Sequence, residues 1–204
     1  MRYQMRPSKL SYTPAALNAT GFKENATGAS TTLTATTPDD GLAHLVTLYS
    51  GSNIATIVFT LTGTDADGTA QTETMTGVNN STVTSTKYFK TLSSVAFSAT
   101  IGAAELDIGW DQVAIGQTYP IDYRSTSACN IFVDISGTIN YSIQQSFANV
   151  HEDSSYLTAF SAITALAAKT ADTAGQANEG ATAIRLLVNT VTAGATVAIY
   201  TSQP

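Results

Sequence analysis

The chain has 204 residues and a formal net charge of −6, with an isoelectric point near 4.6. Only 12% of its residues are charged, about half of the roughly 25% usual for a soluble domain, so hydroxyls and amides must wet most of the surface. An acidic chain without a basic stripe does not suit DNA or RNA as a partner, and no apolar run reaches the roughly 18 to 20 residues that a membrane span needs.

In chain order, the first segment is a short basic arm, residues 1–13, in which Arg2, Arg6 and Lys9 stand without an acid among them. Such an arm is expected to be disordered alone and to order against a neighbouring subunit, its three cations meeting an acidic surface. Met1 to Arg6 leads into no hydrophobic signal-peptide core, so a cytoplasmic birthplace is expected. The single Cys129 fits a reducing compartment. Alternating with Ile131, Val133 and Ile135, it reads as a buried core thiol.

After two similar turns, Asn18-Ala19-Thr20-Gly21 and Asn25-Ala26-Thr27-Gly28, short strands follow in quick succession. They are expected at Thr31–Thr36, Leu42–Tyr49, Asn53–Leu61, Thr69–Met75, Ser81–Ser85, Val95–Thr100 and Glu105–Ile108. From Asn53 to Leu61 the pleat period places Ala55, Ile57, Phe59 and Leu61 on one face and Ile54, Thr56, Val58 and Thr60 on the other. Gly68 supplies the positive φ for a hairpin between this run and the next.

Gly109 to Gln117 reads as a boundary. Strands beyond it are expected at Gln117–Tyr123, Cys129–Ile135, Thr138–Gln145, Ile184–Thr190 and Ala195–Thr201, with Ser136-Gly137 as a tight hairpin turn. One short helix is predicted within Ser154–Lys169, from the spacing of Leu157, Phe160, Ile163 or Thr164, and Ala167. The fold class is therefore all-β, an antiparallel sandwich of jelly-roll or Ig-like kind in two sandwich-like halves. The expected divisions are the arm at 1–13, a β-sandwich domain at 14–112 and a second β-rich domain at 113–204.

Chemistry-bearing residues are few. Asp65-Ala66-Asp67-Gly68 opens like a calcium loop but lacks the later oxygen ligands, so it reads as a turn. His151-Glu152-Asp153 are adjacent residues that seldom converge on one metal ion. His44 lies in an alternating strand, outside any nucleophile signature, and reads as structural. Glu73, Glu105, Asp107 and Asp111 are the carboxylates that a glycosidase would have to pair. Trp110 with Tyr119, Tyr123, Tyr141 and Tyr156 is the aromatic set that a sugar platform would use. No catalytic, metal or cofactor-binding residue is assigned.

The run Thr60-Leu61-Thr62-Gly63-Thr64-Asp65-Ala66-Asp67-Gly68, followed by Gln71-Thr72-Glu73-Thr74, Gly77, Ser81 to Thr91 and Ile108-Gly109-Trp110, resembles β-sandwich virion proteins of tailed bacteriophages. Ala183 to Thr190, with Gly194-Ala195-Thr196-Val197 and Gln203, is similar to a second such pattern. The resemblance implies a non-enzymatic virion component of the capsid decoration or cement type. It further implies a homo-oligomer such as a trimer whose partners are other virion proteins, the major capsid protein among them. A neck or tail component and a carbohydrate-binding adhesion module are the alternatives. Arg2, Arg6 and Lys9 are the expected capsid or subunit contacts.

Overall fold

The computed structural model describes residues 5–28, 30–101, 105–122, 127–149 and 159–203, with the backbone alone at 5–7 and 30. The described residues form antiparallel sheets, and their only helical element is a single 3-10 turn at Thr164–Leu166. The chain divides into two compact units, Ala15–Ile115 and a second built from Met1–Pro14 together with Gly116–Pro204.

In the first unit, β2 (Asn18–Ala26), β4 (Ala43–Asn53), β7 (Asn79–Phe89) and β9 (Leu106–Ile115) form one sheet in the order β2-β9-β4-β7. A second sheet has the order β3-β8-β5-β6, from β3 (Ser30–Thr31), β5 (Val58–Thr64), β6 (Ala70–Thr76) and β8 (Thr91–Phe97). Inward residues from both sheets, among them Val46, Leu48, Phe59, Leu61, Phe89 and Ile108, make one buried cluster. The predicted parity holds for Ile57, Phe59 and Leu61. Ala55 departs from it, because Ile54 to Ile57 is a turn closed by the Ile57 amide donating to the Ile54 carbonyl (3.0 Å), and the strand begins only at Val58.

The β5–β6 hairpin forms where predicted. Gly68 adopts φ +85°, and its amide donates to the Asp65 carbonyl at 3.1 Å. The β9 strand runs through Trp110 to Ile115, so the division between the units falls late in the Gly109–Gln117 stretch, between Ile115 and Gly116. Gly109, at the start of that stretch, serves close approach. A Cβ on Gly109 would collide with the backbone of Asn18 and Ala19, where β2 passes beside β9.

The second unit pairs β1 (Met5–Tyr12), β16 (Thr196–Gln203), β11 (Asn130–Ser136) and β14 (Thr173–Gln176) in the order β1-β16-β11-β14. Its other sheet holds β13 (Phe160–Ala162), β12 (Ile139–Ser146) and β15 (Ala183–Val191), with β10 (Tyr119–Pro120) beside β15. Ile131, Val133, Val197 and Ile199 of the first sheet are buried, as are Tyr141, Ile143, Leu186 and Val188 of the second.

Three expectations are corrected here. The segment read as an arm is, from Met5 to Tyr12, a strand laid along β16, in register from Ser8 against Thr201 to Tyr12 against Val197. The pleat explains it: Ser8, Leu10 and Tyr12 share one face and Lys9 and Ser11 the other, a short alternating run on a terminal strand where the missing amide of Pro7 is tolerated. Ser136-Gly137 is not a hairpin turn, since β11 and β12 belong to different sheets. Gly137 (φ +83°) carries the chain between them, and a Cβ there would approach Ala195 at 3.0 Å. The Thr192 amide, on the return crossing from β15 to β16, donates to the Thr138 carbonyl at 3.0 Å, so the two crossings are fastened side by side. Lastly, the described part of Ser154–Lys169 is no α-helix. Phe160–Ala162 pairs with β12, and the 3-10 turn follows; residues 154–158 lie outside the described residues.

Candidate functional site

The acids and histidine singled out by sequence are held by the fold in separate places. His44 on β4 is fully buried. Its Nδ1 donates to the Asp111 carbonyl at 2.7 Å, and its Nε2 lies 2.8 Å from Asp40 Oδ2. Asp40 also accepts from the Ala15 amide (2.8 Å) and the Leu42 amide (2.9 Å). Burial pushes the Asp40 carboxyl up, but the hydrogen bond and charge of His44, with the two amides, together hold it below its ordinary value of 3.8. An imidazole beside a carboxylate is the base and orienter of a hydrolytic triad. Here both ring nitrogens are committed to the protein, and the pair ties the Pro38–Gly41 turn to β4 and β9.

The carboxylates are likewise occupied locally. Glu73 on β6 accepts from the Thr86 amide and hydroxyl at 2.8 and 2.9 Å and from the Lys87 amide at 2.9 Å, joining β6 to β7. Asp107 accepts from the Asn25 amide (3.0 Å) and Asp111 from the Val113 amide (3.0 Å), while Glu105 is exposed just before β9. In the Asp65 loop, Asp65 Oδ1 takes the amides of Asp67 and Thr69, both at 2.9 Å. Among the described residues no three His, Cys, Asp or Glu side chains gather to ligate a metal; His151, Glu152 and Asp153 lie outside the described residues.

Burial pushes the Cys129 thiol up to about 11, so this side chain stays a neutral thiol at ordinary pH.

The described members of the predicted aromatic set, Trp110, Tyr119 and Tyr141, form no exposed row; Tyr119 is half-buried on β10 opposite Ile184. Tyr141 is fully buried, with its hydroxyl donating to the Ala171 carbonyl at 3.0 Å. Trp110 stands edge-on to Phe22, ring centroids 5.1 Å apart, donates its Nε1 proton to the Ala16 carbonyl at 3.0 Å, and lies on Gly21 where a Cβ would clash with its ring. Tyr123 and Tyr156 lie outside the described residues.

A different surface gathers the unfilled chemistry. On the outward face of the β1-β16-β11-β14 sheet, Lys9, Tyr200, Phe132 and Ala174 occupy four successive strands in one cross-strand row. Phe132 is 44% and Tyr200 36% exposed, their ring centroids 6.1 Å apart. The Lys9 Nζ stands 5.3 Å from the centre of the Tyr200 ring, a cation–π contact. The next row on that face is Ser202, Asn130 and Gln176, in which Gln176 Nε2 donates to Asn130 Oδ1 at 2.7 Å. The two rows border an open cavity of about 1030 Å³.

Of the three cations picked out in the sequence, Lys9 therefore lies on this face. Arg2 lies outside the described residues, as does the Arg6 side chain. Phe132 and Tyr200 were missed because each sits inside an apolar strand, where parity alone decides which face a ring takes. The usable signal was that Phe132 falls between Ile131 and Val133, and Tyr200 between Ile199 and Thr201, on the face opposite their buried neighbours. Compared with known proteins, the chain matches no family model and finds no significant match among the curated proteins or the solved structures.

Proposed function

We propose that this chain is a structural component of a bacteriophage virion, a decoration or cement protein that stabilises the head by assembly rather than by catalysis. The observation that carries this reading is the hydroxyl-covered surface of β6 and β7, each the terminal strand of its sheet. Thr72, Thr74 and Thr76 on β6, with Ser81, Thr82, Thr84 and Thr86 on β7, are all exposed. The two ionic groups among them are turned to internal use: Glu73 accepts the β7 amides, and the Lys87 ammonium donates to the Thr72 carbonyl at 2.8 Å. Such a surface can be buried against a neighbouring subunit without stranding a charge. The resemblance of these same strands to phage virion sandwiches points in the same direction.

In this reading the partners are the major capsid protein and further copies of the chain, in a small symmetric oligomer such as a trimer. Arg2, Arg6 and Lys9 supply a cationic contribution to attachment. Because β1 is built into its sheet, that contribution is tested by charge rather than by deletion. Arg2→Glu, Arg6→Glu and Lys9→Glu together are expected to weaken attachment to particles lacking the protein, most strongly at low salt. The primary test is the mass of the purified protein in solution and its copy number in particles. A trimer present in hundreds of copies supports a head decoration. A ring-sized count moves the protein to the neck or tail, and absence from particles removes the virion reading.

A further inference from the structure

We propose that the outward face of the β1-β16-β11-β14 sheet is a carbohydrate-binding site for a neutral oligosaccharide, with Phe132 as its stacking surface. Sugar rings offer two kinds of surface, an apolar face of C–H groups and a girdle of hydroxyls. A protein that recognises them therefore sets an aromatic ring beside planar amides and carboxylates. This face does so in adjacent rows.

Phe132 carries the first requirement. It is 44% exposed, flanked on one side by Tyr200 and on the other by Ala174, whose small side chain leaves the ring uncovered. The ammonium of Lys9 rests over Tyr200 rather than over Phe132, so it props the first ring and leaves the second to the ligand. Asn130 and Gln176 carry the second requirement, one pleat repeat along the strands, about 6.6–6.8 Å away. Their mutual bond fixes both amide planes and leaves the Asn130 NH2 donors and the Gln176 carbonyl for hydroxyls.

Two further features favour a sugar over another ligand class. The charges on this face are two carboxylates, Glu179 lining the cavity and Asp134 one pleat repeat from Phe132, and the Lys9 ammonium already engaged with Tyr200. That balance offers no concentrated positive field to an anionic ligand. Two partly exposed rings amid amides are also a small apolar area for a stable protein contact, which needs about 800 Å² on each partner.

The site lies outside the hydroxyl surface used in the assembly reading and shares only Lys9 with that reading; the proposal does not depend on it. The experiment is affinity electrophoresis and calorimetry of the full chain with three probes, the hexamers of β-1,4-linked glucose, β-1,4-linked N-acetylglucosamine and α-1,6-linked mannose. At least one is expected to bind. Phe132→Ala should then weaken it about three- to tenfold, the scale of one aromatic stacking contact, and Asn130→Ala with Gln176→Ala about fivefold. Val58→Ala, at an exposed apolar residue of the other unit, should leave binding unchanged. Phe132→Leu keeps the apolar volume but removes the π face, so it separates a lost stack from a disturbed fold. No binding to any of the three hexamers overturns the proposal. So does binding that is indifferent to Phe132, or a Phe132→Ala variant that loses self-association or particle attachment while sugar binding is absent, which marks the face as a protein contact.

Discussion

The two units place their exceptional residues in opposite ways. In Ala15–Ile115 the exception is polar and buried: His44 and Asp40, whose hydrogen-bonding groups meet protein partners. In the unit containing β11 and β16 the exception is aromatic and exposed: Phe132 and Tyr200, the first with its ring uncovered and the second beneath the Lys9 ammonium. A polar group taken out of water costs free energy unless it is bonded, so a satisfied buried cluster is explained by the fold itself. Burial accounts for only part of a ring left half in water, and the part that stays exposed is open to a partner.

Phe89→Ala removes a fully buried ring and should cost about 3–5 kcal/mol of stability. Asp40→Ala should cost a similar about 3–5 kcal/mol, because it leaves the His44 ring and two amides without their acceptor. Both losses are read from denaturant midpoints. The Asp40 contribution also carries a pH signature. Its folded-state carboxyl lies below the ordinary 3.8, so the stabilisation is complete above that value and is lost as pH falls through the folded-state value. Asp40→Asn should flatten this acid limb of the stability profile, and an unchanged limb would show that the pair is not its source.

Smaller effects sharpen the same contrast. Gly21→Ala, which drives a methyl into the Trp110 ring, should cost about 1–3 kcal/mol and shift the tryptophan fluorescence. Ala168 adopts φ +50°, a left-handed conformation that a side chain disfavours, so Ala168→Gly should gain about 0.5–1 kcal/mol. Phe132→Ala should change stability least, by roughly 0.5 kcal/mol or less. A loss there as large as that of Phe89→Ala would erase the distinction between the two rings.

The sandwich architecture was legible in the sequence because two-residue alternation and turn residues are local signals. Strand pairs such as β5–β6 follow from them almost directly. Sheet membership was not legible, as Ser136-Gly137 illustrates: the same turn chemistry serves a hairpin or a crossing between sheets, and the choice depends on β16 and β15, far away in the chain. The β1 strand was missed for a related reason. Its five-residue alternation is too short to stand out, and its stability comes from a partner near the opposite end of the sequence. Among candidate sites, the sequence drew attention to acids and histidines, which the fold then occupied with its own amides. Lys9 was legible as an isolated cation, whereas its row with Tyr200 and Phe132 required the register of three strands.

The pairing of β1 with β16 also orders events during synthesis. Strands β2 to β9 can close their sandwich while the rest of the chain is still being made. Met5–Tyr12 emerges before them yet has no partner until Thr196–Gln203 appears, so it is bonded only after the strands that follow it have been made. Through that interval Leu10 and Tyr12 have no sheet to cover them, and a ribosome-bound chain stopped short of Thr196 would present them to proteases and chaperones. The closing step spans nearly the whole sequence, and contacts of such separation fold slowly.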